Sequence, residues 1–176
     1  MPSAEGNLSW TAASERPDLL ADPVAAALAQ VPGARVAPID ATLADTAAFC
    51  AAYDVDPAAS ANCVVVEARR GDVVTLAAVM VLATDRADVN GTVRRHLGAR
   101  KISFADQAKA EGLTGMQQGG ITPVGLPEGW PLLVDEGVAA AGPVVIGAGV
   151  RGAKLLVDGA ALAAMPGATV LGLAQR

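Results

Sequence analysis

The segment Gly119-Gly120-Ile121-Thr122-Pro123-Val124-Gly125 joins two adjacent glycines, a β-branched pair and a proline. Glycine lets a main chain approach a ligand with no Cβ in between. Pro123 fixes its own φ and drives Thr122 into an extended conformation. Such a loop offers backbone N–H and C=O groups and holds no acid, base or nucleophile. Its chemistry is hydrogen bonding to an oxygen of a bound partner, with Gly120 leaving room for the approach. Taken alone, Gly-Gly-x-x-Pro is also the composition of an ordinary surface turn. A second glycine-rich segment, Val145-Ile146-Gly147-Ala148-Gly149-Val150-Arg151-Gly152, follows downstream.

Side-chain chemistry is scarce by comparison. The single histidine, His96, follows Arg94 and Arg95 on a predicted helix, which reads as an exposed position. No serine sits in a Gly-x-Ser-x-Gly elbow. Cys50 and Cys63 lie in apolar surroundings with no neighbouring base, so they read as buried free thiols in a reducing compartment. Zinc-site spacings are absent, and neither a metal nor a cofactor is expected. These residues disfavour a nucleophilic hydrolase unless distant partners assemble one.

The elements that must hold the two glycine segments follow from periodicity and breakers. Asp22-Pro23 starts a helix that ends before Pro32-Gly33, and residues 35–39 alternate as a short strand. A second helix runs from Thr42 to Tyr53. Asn62 to Glu67 and Val73 to Leu82 form a hairpin across Arg69-Arg70-Gly71-Asp72. Asn90-Gly91 opens a helix through Leu97, Lys101 to Phe104 is a strand, and Asp106 caps a helix ending near Gly112. Pro143 to Gly147 and Lys154 to Val157 are strands joined by the second glycine segment. A last helix covers residues 160–164, and Thr169 to Leu173 is a final strand. Irregular interleaving gives an α+β class: one domain with a mixed, largely antiparallel sheet flanked by helices. Residues 1–20 read either as a loose N-terminal arm or as a segment packing back through Leu8 and Trp10, and residues 21–176 form the domain.

With 176 residues the chain can bury a real core, and 52% hydrophobic but only 3% aromatic content means a core of Ala, Val and Leu. No apolar run is long enough to span a bilayer. Met1 to Ser14 lacks the basic and apolar regions of a secretory signal, so the cytoplasm is expected. A net charge of −5 argues against generic nucleic-acid binding and against a DNA partner. Arg94, Arg95, Arg100 and Lys101 nevertheless fall within eight positions. They form either a solvated face or a local patch that can hold an RNA end.

The order Asn62-Cys63-Val64-Val65-Val66, Arg100-Lys101-Ile102-Ser103-Phe104-Ala105, Leu113-Thr114-Gly115, the Gly119 loop and the Gly147 turn resembles the YbaK/EbsC family. Its members are free-standing relatives of the prolyl-tRNA synthetase editing domain. The resemblance covers roughly Leu43 to Leu173 and implies an aminoacyl-tRNA deacylase acting in trans on the 3′ end of mischarged tRNA. It implies a site in which Gly119, Gly120 and Pro123 hold the substrate end, with Ile121, Thr122, Val64 and Asp135 beside them. Gly147, Gly149 and Arg151 form a second wall, and Arg94, Arg95, Arg100 and Lys101 contact the tRNA. An aminoacyl ester is already activated, so positioning water or the vicinal hydroxyl and binding the carbonyl oxygen can suffice.

One position departs from that pattern. The family carries a lysine where this chain has Asn62. Asparagine offers a neutral bond in place of a charge-assisted one, weaker by about 1 kcal/mol. The departure leaves two readings open: retained deacylation with Asn62→Lys tolerated, or a catalytically silent module that binds a tRNA end or an aminoacyl nucleotide. A small-molecule hydrolase with no RNA partner is a third. Strand alternation puts Asn62 and Val64 toward the pocket and Cys63 and Val65 away from it. Oligomeric state is not legible.

Overall fold

The computed structural model describes residues 3–175. Among the described residues nine strands form two sheets. A four-stranded antiparallel sheet has the order β1 (Thr11–Ala12), β2 (Arg35–Pro38), β8 (Ala153–Asp158), β7 (Pro143–Gly147). A five-stranded mixed sheet has the order β5 (Lys101–Phe104), β3 (Ala61–Arg70), β4 (Val73–Leu82), β6 (Leu132–Asp135), β9 (Ala168–Leu171). In it β5, β3 and β4 are antiparallel, while β4, β6 and β9 run parallel. The α+β class with mixed, largely antiparallel pairing holds. The strands divide between two sheets that touch through a parallel bridge from Ser60 to Val145.

The long hairpin forms because β3 carries Val64–Val66, β4 is almost wholly apolar with five β-branched residues, and Gly71 takes φ +61° in the Gly71-Asp72 turn. The main core lies between the sheets and holds Val36, Met80, Val134, Ile146 and Leu155, with no aromatic ring. The far face of the five-stranded sheet buries Val66, Val79 and Val93. The far face of the four-stranded sheet, Val145 and Leu156, packs on Phe49 of α2 (Thr46–Tyr53). Leu8 and Trp10 pack on this last cluster, and β1 pairs with β2, so the N-terminal segment joins the fold.

The remaining helices are α1 (Asp22–Ala26), α3 (Arg94–His96), α4 (Gln107–Thr114), α5 (Glu136–Ala139) and α6 (Gly159–Ala163). Several are shorter than expected. The helix expected from Asn90 is a wide π-type turn over Val89–Val93 followed by α3. Asp88 causes this, because its carboxylate accepts from the N–H groups of Gly91 and Thr92 at 3.1 and 3.0 Å. The helix expected from Thr42 begins at Thr46, after a single 3₁₀ turn capped by Asp40. Among the described residues no helix is long and apolar enough to cross a membrane.

Candidate functional site

The Gly119 loop and the β7–β8 turn are laced together. The Gly149 N–H donates to the Gly120 carbonyl at 2.7 Å, and the Gln117 N–H donates to the Gly149 carbonyl at 2.9 Å. The Arg151 N–H donates to Gln117 Oε1 at 2.8 Å, and its guanidinium donates to the Gln118 carbonyl at 2.9 Å. Glycine is required at the crossing because a Cβ at Gly120 would lie 2.5 Å from the Val150 carbonyl oxygen, and one at Gly147 would lie 2.5 Å from the Gly120 oxygen. This revises the reading of Gly120. Its missing side chain serves the packing of loop on turn, not the approach of a ligand.

A cavity of about 970 Å³ opens between this laced wall, α2 and the start of β3. Of the residues expected at the site, Asn62, Val64, Gly119, Ile121 and Gly147 line it. The N–H groups of Gly119 and Ile121 donate to no other group among the described residues. Gly120, Gly149 and Arg151 stand behind the wall rather than in the lining. Thr122 and Pro123 are buried outside it, and the Thr122 hydroxyl has no partner among the described residues.

Asp135 is also elsewhere. Fully buried, it accepts from the N–H groups of Gly137, Leu173 and Ala174 at 2.9, 2.8 and 3.2 Å. It caps α5 and ties down the C-terminal segment. Asp135→Asn is therefore expected to lower unfolding stability by about 2 kcal/mol, because an amide turns donors toward donors. Amino-acid release should stay within about twofold, read by urea unfolding beside the activity assay. A stable variant with lost activity would return Asp135 to the site.

Consecutive residues of β3 line the cavity. Ala61, Asn62, Cys63, Val64 and Val65 all line it. β5 pairs with β3 only from Val66 to Arg69, and the Ala105 N–H donates to the Val65 carbonyl just beyond it, so the edge of residues 61–64 is open and the cavity runs along that edge. The side chains still alternate, Ala61 and Cys63 packing on the main core and Val64 on the far-face cluster, so the cavity meets the strand along its edge. Burial pushes the Cys63 thiol up to about 12 and raises that of Cys50, so neither supplies a thiolate near neutral pH. Among the described residues, no group of three or more His, Cys, Asp or Glu could hold a metal.

Lining residues that were not anticipated include Asp45, Thr46, Asp54, Phe104 and Lys154. The Thr46 hydroxyl donates to Asn62 Oδ1 at 2.5 Å, which orients the amide. Phe104 stands at the rim, 64% exposed. Lys154 is 7% exposed, donates to the Ala44 carbonyl at 3.2 Å and lies 5.1 Å from the centre of the Phe49 ring. Burial lowers its pKa below the ordinary lysine value; nearby Cys50 and Asp45 act in the opposite direction, and Arg151 adds to the lowering. A lysine inside the apolar run Ala153–Val157 was the available signal.

The basic cluster borders a separate groove of about 550 Å³, lined in part by Arg69, Arg94, Arg100 and Lys101. Arg95 is exposed but outside that lining. Arg94 is spent on the backbone, donating to the Asn90 and Ala99 carbonyls at 2.8 and 3.4 Å. Both concavities share β3 and β5: Val65 and Phe104 face the cavity, while Arg69 and Lys101 face the groove.

Known proteins with this architecture narrow the reading. A crystal structure of a proposed trans-editing enzyme for prolyl-tRNA synthetase superposes with a TM-score of 0.75 at 23% identity, over 89% of this chain and 97% of that one. A hypothetical protein, APE2540, superposes with a TM-score of 0.72 at 22% identity, over 81% and 91%. At such identities the likeness is one of fold. No curated protein sequence matches. The family model of the aminoacyl-tRNA editing domain matches residues 40–165, which span the cavity, the laced wall and the basic groove. The chain belongs to the aminoacyl-tRNA editing domain family.

Proposed function

We propose that this protein hydrolyses the ester bond of mischarged aminoacyl-tRNA in trans, in the cavity beside the Gly119 loop. The observation that carries this is the rigid wall with two unused backbone donors, Gly119 and Ile121, in a cavity that holds no thiolate. The ester carbonyl oxygen accepts from these N–H groups. Water adds to the ester carbon, and the electron pair moves onto that oxygen. When the pair returns, the ribose oxygen leaves with one proton, the amino acid departs as carboxylate and a second proton is released. Donors held in place before reaction need no reorganisation as charge develops. No side chain of the wall is consumed.

The second reading is a silent binding module, favoured by Asn62, whose amide oxygen is already taken by Thr46. Amino-acid release from a panel of aminoacyl-tRNAs decides between them. Release above the spontaneous rate for at least one member supports hydrolysis. Tight binding with no release supports the silent module.

In this reading Arg100 and Lys101 meet acceptor-stem phosphates, which their exposure and lack of an ion-pair partner among the described residues support. Each phosphate contact contributes about 0.7–0.9 to the slope of log affinity against log salt. The double variant Arg100→Ala/Lys101→Ala should flatten that slope by about 1.5 and weaken tRNA binding roughly tenfold at low salt. An unchanged slope would make these residues a solvated face only.

A further inference from the structure

Lys154 and Asp135 are the buried charged residues among those described, and they differ in how they are satisfied. Asp135 accepts three backbone hydrogen bonds. An ammonium has three donors. Lys154 uses one, to the Ala44 carbonyl, and no carboxylate lies within ion-pairing distance among the described residues. A buried charge without a counter-charge is costly unless something else meets it. The carbonyl contact and the Phe49 ring both favour the protonated form, against the burial that disfavours it.

Its place in the sheet gives the charge a direction. Lys154 on β8 pairs directly with Gly147 on β7, so their side-chain positions share one face. The missing Cβ of Gly147 points at the Gly120 and Ile121 carbonyls, hence at the laced wall. The ammonium therefore enters the same cavity as the free N–H groups of Gly119 and Ile121. We infer that Lys154 is the anion-binding group of this cavity, taking a negatively charged oxygen of the bound aminoacyl-nucleotide end. The inference rests on the proposed substrate for its ligand. Two sources carry that chemistry: the ester oxygen as it becomes an oxyanion, and a phosphate of the terminal nucleotide. The groups that face Lys154 are Cys50 of α2, Asp45 before α2 and Arg151 of the β7–β8 turn.

The test compares wild type with Lys154→Met and Lys154→Arg. Hydrolysis is measured on the aminoacyl-tRNA panel. Binding is measured with 3′-alanylamido-adenosine, a non-hydrolysable probe, with and without a 5′-phosphate. Removing a buried cation should not prevent folding, and a thermal midpoint at or above that of wild type verifies this for Lys154→Met. If the ester oxygen is the partner, Lys154→Met lowers kcat about 100-fold with KM within about threefold. If a phosphate is the partner, Lys154→Met weakens the phosphorylated probe about tenfold and leaves the other unchanged. In either case Lys154→Arg retains more of the lost property than Lys154→Met. Wild-type activity should also fall at alkaline pH as Lys154 deprotonates, and Lys154→Met should lack that fall, which a packing role would not produce. Wild-type hydrolysis with kcat, KM, pH profile and both affinities unchanged in Lys154→Met overturns the inference. Absence of wild-type hydrolysis overturns the proposed activity instead. The two probes then decide on Lys154 by themselves: phosphate-dependent weakening supports it, and equal affinities overturn it.

Discussion

Gly147→Ala is expected to reduce amino-acid release at least 100-fold while leaving tRNA affinity within about threefold. The added Cβ would meet the Gly120 carbonyl oxygen at 2.5 Å and the Ile121 oxygen at 2.7 Å. These are backbone atoms, so no side chain can swing aside. The Gly119 loop must retreat from β7, yet the Gly149 N–H holds the Gly120 carbonyl at 2.7 Å. A displacement of about 1 Å at a reacting group costs roughly 100-fold in rate. The basic groove lies on β3 and β5 and should not notice. Gly152→Ala in the same turn is the control, because a Cβ there meets nothing within 4 Å, and activity within about twofold of wild type is expected. A single-turnover assay on both variants, with circular dichroism to verify folding, is sufficient. Wild-type rates in folded Gly147→Ala would show that the wall does not hold the reacting end.

The contrast between Gly147 and Lys154 shows which parts of this protein are legible in its sequence. Glycine marks a local demand, a backbone crossing or a turn, and the two glycine segments are found where their composition places them. The β3–β4 hairpin is equally plain, since two apolar runs lie on either side of Arg69-Arg70-Gly71-Asp72. Asp106 announces α4 for the same local reason, accepting from the Lys109 N–H. The role of Lys154 is not local. The carbonyl it holds, that of Ala44, is 110 positions away, and only the β7–β8 register and the packing of α2 bring the two together. The open edge of β3 is hidden too, because it depends on where β5 stops pairing. Alternation itself reads correctly for Cys63, which packs against the main core while Val64 packs against the far-face cluster. The short 3₁₀ and π turns escape because the segments around them are rich in alanine and glycine, which carry no stripe to read.

The second large effect concerns the exchange of charge between positions 62 and 154. Resemblance to the family implies that a lysine at 62 is accommodated, but Lys154 already brings an ammonium to the same cavity. Asn62 is tied to Thr46 and Lys154 to Ala44. The Cα atoms of residues two apart are at most about 7 Å from one another, so both tips lie near one short segment. Two ammoniums about 7 Å apart repel by roughly 2 kcal/mol at an effective dielectric constant of 20. Asn62→Lys alone should therefore lower the thermal midpoint and cost about tenfold in activity, since it also removes the acceptor of the Thr46 hydroxyl. In the Lys154→Met background the same substitution should act in the opposite direction. It returns one cation to a cavity that has none, and should recover at least tenfold of the roughly 100-fold loss of Lys154→Met. The double-mutant cycle then gives a coupling of about 2 kcal/mol or more, where distant sites would give additive effects within about 0.5 kcal/mol. Additive losses would mean that positions 62 and 154 do not share a ligand, and the cavity would have to be divided between two separate tasks.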